Sequence, residues 1–319
     1  MAVSSTSTEA ELISEYWNNV FINELRENLV FEKFGLKSSN PGGSGTTVHW
    51  LSLGDLSAAA ALTEGTDPSE FTLSAGDQTA AIKQYGATVK LSDLLQDTWI
   101  SGSMQNLMER LARNAAFTID TVIRNVNFTA GGAAQYAGTA VARNSIASDG
   151  TFDMDLAEIR EAVNTLEGAK VPTFDNGSYV GVIHQDVKYD LQGDTANWQE
   201  ILKHNESTIG LITDGGNGMA PGKGGFVGSM FGVNFVLSQQ ALKMSASGSA
   251  STDVYQSYVF GPEQYGVSEL HGVQTIIKNP APSSSLDLYG TVGWKSGFAT
   301  KELDSGRMVR IESGASLGA

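Results

Sequence analysis

One long apolar stripe in the first half of this chain limits what the chain can fold into more than any other feature. Between Met104 and Phe128 the positions Met104, Leu107, Met108, Leu111, Ala115, Ile119, Val122, Ile123 and Val126 recur at helical spacing. Ser101 or Ser103 can cap its start, and Gly131-Gly132 stops it. Glu109 with Arg113, and Asp120 with Arg124, stand four apart in the order that favours pairing along a helix. At 1.5 Å per residue the helix would be roughly 35–40 Å long. A stripe of that length needs an equally long apolar surface, so this helix is expected to be the spine of the molecule.

The flanking segments are of mixed type. Residues 1–8 read as a polar tail, and 9–30 carry a second helical stripe of Leu12, Ile13, Tyr16, Phe21, Leu25 and Leu29 that ends at Gly35 and the glycine run 41–45. Residues 46–53 and 79–91 have strand character and enclose a stretch rich in Gly, Ala, Ser and Thr. The simplest reading is a two-stranded arm whose tip has few large apolar residues, mainly Leu62, Phe71 and Leu73. Such a ribbon is marginal alone in water and needs another surface. After the spine come a helix over 155–167, with Asp155 and Glu158 spaced as a capping box, and a buried strand over 179–183. A helical stretch over 185–204, with Leu191, Trp198, Ile201 and Leu202 as anchors, leads to a glycine-rich loop at 213–225. Strands are then expected over 226–237, 255–260, 272–278, 286–294, 297–303 and 307–312. Helices and strands mix without a strand–helix–strand repeat, which points to the α+β class.

Composition narrows the function. Hydrophobic residues at 41% support a real core, while charged residues at 17% are few for a protein that solvates its whole surface. A surface poor in charge suits a chain that buries itself against copies of itself. The balance of 20 basic to 35 acidic residues, without a basic stripe, argues against tight nucleic-acid binding. With no cysteine, disulfides, thiolate nucleophiles and cysteine zinc sites are excluded. The first residues have no basic region followed by an apolar run, so no signal peptide is expected. Stretches such as Ala58–Leu62 are too short to span a bilayer, so no membrane partner is expected.

The motifs that could carry chemistry fail on inspection. The glycine run from Gly215 to Gly225 has Asn217 and Gly224 where a phosphate-binding loop needs Gly and Ser or Thr. Asp304-Ser305-Gly306 looks like an aspartic-protease turn, but that chemistry needs a second such carboxylate, and the chain has none. His49, His184, His204 and His271 lie far apart, without metal-ligand spacing. Asp153 and Asp155 resemble a fragment of a calcium loop but lack its glycine and terminal glutamate, and helix capping accounts for them better. No catalytic residue, cofactor or metal is expected.

The order of elements and several local stretches resemble a known family. Leu62-Thr63-Glu64-Gly65 before Pro68, Tyr85-Gly86 with Ser92-Asp93, Val182-Ile183-His184-Gln185-Asp186 with Asp190-Leu191, and Gly228-Ser229-Met230-Phe231-Gly232-Val233 look like the coat-protein family of tailed phages typified by coliphage N4. So do Gly293-Trp294-Lys295, Phe298-Ala299 and Arg307-Met308-Val309-Arg310-Ile311. The resemblance implies the Hong Kong 97-type capsid fold. It would divide the chain into an N-terminal arm (1–45), an extended loop (46–90), the spine with the first part of a peripheral domain (91–174), an axial domain (175–270) and C-terminal strands of the peripheral domain (271–319). It implies a structural major capsid protein forming hexamers and pentamers of an icosahedral shell around double-stranded DNA. Tyr16, Trp17, Phe21, Leu62, Phe71 and Leu73 would then make contacts between subunits. The implied partners are further copies of the chain, a separate scaffolding protein, a portal and decoration proteins, with DNA held only weakly. The implied location is the virion, after assembly in the host cytoplasm. Two other readings remain open on the residues: a cellular nanocompartment shell of the same fold, and a hydrolase built on Asp304.

Overall fold

The computed structural model describes residues 29–39, 45–53, 75–92, 103–147, 150–193, 226–278 and 288–317, with isolated positions between 19 and 25 and between 59 and 94. In chain order the strands and α-helices are β1 (Leu36–Ser39), β2 (Thr47–Leu53), β3 (Ala75–Ala81), β4 (Lys83–Ser92), α1 (Ser103–Asn127), β5 (Ala133–Tyr136), α2 (Leu156–Gly168), β6 (Tyr179–Ile183), α3 (Gln185–Gly193), β7 (Phe226–Met230) and β8 (Val233–Leu237). They continue with β9 (Lys243–Met244), β10 (Val254–Phe260), β11 (Tyr265–Lys278), β12 (Tyr289–Glu302) and β13 (Met308–Ser313). The strands form a four-stranded sheet in the order β1-β11-β12-β4, a larger sheet running β5-β13-β10-β6-β8-β7 with β9 beside β10, and a ribbon of β2 and β3.

The expected spine is α1. Met108, Leu111, Ala112, Ala115, Ala116, Ile119 and Ile123 are buried and share one core with Leu91, Val292, Trp294 and Phe298 of the four-stranded sheet. The alternation of β4 explains the fit: Tyr85, Ala87, Val89 and Leu91 face the helix while Gln84, Thr88, Lys90 and Ser92 face away. Directional bonds add to the apolar contact. The Trp294 indole donates to Asn114 Oδ1 at 3.1 Å, and Asn127 Nδ2 donates to Thr300 Oγ1 at 2.6 Å. Just past the helix, Phe128 has the rings of Phe31, Tyr258, Phe260 and Tyr265 at centroid distances of 5.0 to 5.2 Å. These rings come from the arm, β10 and β11, so the two sheets and the arm meet there.

The larger sheet is buried on both faces at its centre. Val180 and Val182 of β6 point into the spine core, and Tyr179 and Ile183 into a second core against α2 and α3. That is why residues 179–183 read as an unbroken apolar run. Strand β8 lies parallel to β6, and the chain enters it from β7, its antiparallel neighbour at the edge of the sheet. Helix α2 starts on the anticipated box: Asp155 caps it, and the Asp155 N–H donates to Glu158 Oε2 at 3.0 Å.

Several expectations are corrected. The stretch 79–91 is not one arm strand: β3 pairs with β2 from Thr47↔Ala81 to Leu53↔Ala75, while β4 joins β12. The chain changes sheets at Ile82, whose N–H donates to Thr46 O at 2.9 Å and whose side chain packs at the ribbon base. Neither expected ion pair along α1 forms. Arg113 Nε instead donates to Glu24 at 2.8 Å, Arg124 reaches the Gln240 carbonyl, and Asp120 is buried. An i,i+4 pair contributes only about 0.3–0.5 kcal/mol, so a partner from another segment displaces it easily. Val126 is exposed, whereas Ala112 and Ala116 complete the buried stripe. The expected strand 226–237 is two strands, split by a turn at Phe231-Gly232 where both residues have positive φ. The helix begun at Gln185 is described to Gly193, and Trp198, Ile201, Leu202 and the loop 213–225 lie outside the described residues.

Candidate assembly interface

The structure separates the six expected contact residues. Phe21 is fully enclosed in the chain's own spine core and offers no surface to a neighbour. It lies on the same apolar stripe as Leu25 and Leu29, and all three are drawn inward. Phe71 is 50% exposed at the ribbon tip. Tyr16, Trp17, Leu62 and Leu73 lie outside the described residues.

Among the described residues the ribbon is anchored at its base. Val48 and Trp50 pack with Ala299, Ala80, Ile82 and Leu303 on one side of the four-stranded sheet. Trp50 lies so close to Gly266 that a Cβ there would stand 2.7 Å from its ring, so only glycine fits. The opposite ribbon face carries exposed Thr47, His49 and Leu51, with His49 Nδ1 2.8 Å from Asp77 Oδ2. The ribbon side chains thus divide into a face that grips its own sheet and a face left to solvent. Further large apolar side chains are exposed at Leu94, Phe117 and Val141, away from any described core.

Polar clusters hold this frame. Asp120, 1% exposed, accepts the Val30 N–H at 2.8 Å and so ties the arm to the spine. Burial pushes its pKa up to about 7, against the pull of backbone N–H groups of Val30, Glu32 and Phe31. The Glu312 carboxylate, completely buried, accepts both arms of Arg143 at 2.6 and 2.7 Å and Gln256 Nε2 at 3.0 Å. Burial alone would raise it, but the hydrogen bonds and charge of Arg143, with the charge of Arg310, bring it below its ordinary value. Arg310 in turn donates to the carbonyls of Thr129 and Gly131 just past the spine. Sequence reading missed Asp120 and Glu312. A polar residue beside the stripe was the one available signal, and Asp120 was read as the i,i+4 partner of Arg124.

Groups that could have carried chemistry have structural tasks. Asp304 accepts from Gly306 N at 2.9 Å and Arg307 Nε at 3.0 Å, closing a turn with both oxygens. His184 Nδ1 accepts the Asp186 N–H at 3.2 Å at the start of α3, and burial lowers its pKa, so the neutral ring with its proton on Nε2 is assigned from that bond. Nδ1 also stands 3.3 Å from Asp186 Oδ2, and Asp186 accepts from Tyr255 Oη at 2.8 Å. The concavity beside α2 and α3, of about 500 Å³, is lined by Asp153, Asp155 and Asp190, but Asp155 caps α2 and Asp190 receives the Ser316 N–H. Among the described residues no group of His, Asp and Glu has metal-binding geometry, and no helix is long and apolar enough to cross a membrane.

A profile of the phage capsid protein family matches residues 74–295, from the second ribbon strand to the middle of β12. The chain belongs to the phage capsid protein family. No curated protein sequence matches the capsid chain. Among solved structures, the capsid of Ralstonia phage GP4 superposes with a TM-score of 0.69 at 15% identity, over 91% of this chain and 92% of that one. The capsid of cyanophage P-SCSP1u gives 0.61 at 14% identity, covering 90% and 89%. The acid-stable capsid of Helicobacter pylori bacteriophage KHP30 gives 0.58 at 10%, covering 89% and 91%. Similarity at this identity concerns the fold, which is α+β of the Hong Kong 97 type. The capsid protein is therefore a structural shell protein of the virion whose partner is its own kind, and not an enzyme. The hydrolase reading at Asp304 is set aside, and the nanocompartment reading is not favoured because the matching family is one of phage capsids.

Proposed function

We propose that this capsid protein assembles into hexamers and pentamers that close an icosahedral shell around double-stranded DNA. The observation that carries the reading is the β2–β3 ribbon, gripped at its base by Val48 and Trp50 and presenting Thr47, His49, Leu51 and Phe71 to solvent. One sequence must make both six-fold and five-fold rings, and arms reaching over neighbours give contact area at more than one angle. The four-stranded sheet with α1 serves as the peripheral domain and the larger sheet with α2 and α3 as the axial domain, with the ribbon from Thr47 to Ala81 as the extended loop and the segment before β1 as the arm. The local stretches quoted above support placement with the coats typified by coliphage N4. A separate scaffolding protein, a portal and decoration proteins complete the partners, and assembly takes place in the host cytoplasm. DNA is held weakly, consistent with the acidic balance of the chain.

Electron microscopy of the purified protein, with and without co-expressed phage scaffold, tests the reading. Rings or shells of uniform symmetry are expected. A strictly monomeric sedimentation profile at high concentration with scaffold present would refute it. Replacing 56–75 by a Gly-Ser turn should leave a folded subunit and abolish or deform shells.

A further inference from the structure

The tip of the β7–β8 hairpin holds an aromatic side chain in a backbone conformation that favours other residues. Met230 pairs directly with Val233, so the loop consists of Phe231 and Gly232 alone, with φ of 49° and 76°. A two-residue turn with both φ positive closes hairpins well, and its first place favours Asn, Asp or Gly. A Phe there crowds its Cβ against the following carbonyl. Nothing among the described residues offsets that cost. Phe231 is 41% exposed, joins none of the apolar cores and meets no other aromatic ring. The turn is nonetheless held still, because Gly232 O accepts the Tyr179 N–H at 2.7 Å and ties the tip to β6. The chain thus presents an exposed ring on a fixed mount, under strain.

The place and chemistry of the hairpin narrow what the ring meets. Strand β7 is an outer strand of the larger sheet, so the tip lies at the rim of that sheet. From Phe226 to Leu242 the chain has no Asp, Glu, Lys or Arg. A nucleic-acid contact is built on cations at the phosphates, and this hairpin has none to give. A surface without charge around a rigid aromatic has instead the make-up of the centre of a protein–protein contact. Shells are built from copies of one chain, and in a ring each copy meets the next through two different flanks. The protein within reach of that rim is the next copy.

We propose that Phe231 anchors the contact between neighbouring copies, carried on the β7–β8 hairpin of one and received by an apolar, uncharged surface of the next. This rests on the shell-forming reading above. The strain in the turn persists because the ring acts outside its own chain.

The two demands on position 231 give substitutions opposite signs. Asn suits the turn and removes the ring. Phe231→Asn should therefore raise the melting temperature of the unassembled subunit by about 1–3 °C. Loss of an aromatic anchor weakens a contact about thirtyfold, so the same variant should lose at least tenfold in shell count by electron microscopy. Phe231→Tyr, which keeps a ring under the same strain, should keep its shells. Shells from the parent and equal numbers from Phe231→Asn would overturn the proposal and leave the shell reading standing. Failure of the parent itself to form shells, with scaffold present, would overturn both. A Phe231→Asn subunit that melts below the parent, or does not fold, would show that the ring serves its own fold and would likewise overturn it. A photoreactive benzoylphenylalanine in place of Phe231 gives a second reading that does not depend on stability. Irradiated shells should yield a covalent dimer of the chain, whereas attachment only within the chain, to the scaffolding protein or to DNA counts against the proposal.

Discussion

Replacing Asp120 by Asn should change how stability depends on pH in a way that only a buried carboxyl explains. The native group has a pKa near 7, pushed up by burial, against about 3.9 in an unfolded chain. The fold therefore holds a proton that the unfolded chain releases. The stabilising contribution is fully present below about pH 3.9 and is lost as pH rises through 7. A gap of about three pH units corresponds to ~4 kcal/mol in total, of which ~2.7 kcal/mol falls between pH 5 and pH 8.5. Asn keeps an oxygen to accept the Val30 N–H and cannot titrate. Other carboxyls, Glu158, Glu269 and Glu302, are also raised mainly by burial and slope the parent's curve the same way. The informative quantity is thus the difference between variant and parent. Urea denaturation of unassembled protein should show Asp120→Asn gaining on the parent by about 2–3 kcal/mol from pH 5 to pH 8.5. Parallel curves would mean that Asp120 is hydrated or paired and that the tie between arm and spine is not a buried carboxyl.

Glu312→Ala should cost about 3–5 kcal/mol, because Arg143 and Arg310 lose their shared buried anion; a shift in denaturation midpoint worth less than about 1 kcal/mol would refute this. Gly266→Ala should displace Trp50 and cost about 1–3 kcal/mol, read as a moved Trp50 resonance in fluorotryptophan-labelled protein; an unmoved resonance would show that the ribbon base yields without undocking. The His184 ring should titrate below the ordinary histidine range by NMR. Its contribution is present above about pH 6.5 and lost as pH falls through the lower native value, so a titration above 6.5 would contradict the capping role at α3.

What the sequence disclosed depended on whether one element or several decided a residue's place. The spine was legible to within a residue or two at either end because its period repeats over many turns. Helix α2 was legible because Asp155 and Glu158 act within one turn. The division of 79–91 between ribbon and sheet was not, since Thr79 and Val89 have the same strand propensity and only the presence of α1 decides which of them must face a helix. The pairs along α1 failed for the same reason: Arg113 and Arg124 had local partners in sequence and better ones in space. Of the six expected contact residues, Phe21 lies in the chain's own core: the stripe it shares with Leu25 and Leu29 does not disclose whether its apolar partner is this chain or a neighbour.

The bonds along α1 have one more consequence. An apolar stripe containing Ala112, Ala115 and Ala116 is nearly smooth, and a helix lying on a sheet by such contacts alone could slip by one turn, about 5.4 Å, while keeping its greasy side down. Asn114 at Trp294, Asp120 at Val30 and Asn127 at Thr300 act as notches at three heights of the shaft. A slip of one turn would empty all three at once. The spine is therefore indexed against its sheet, and a load on one end of the subunit travels to the other without being lost to sliding. A panel of a closed shell needs that stiffness.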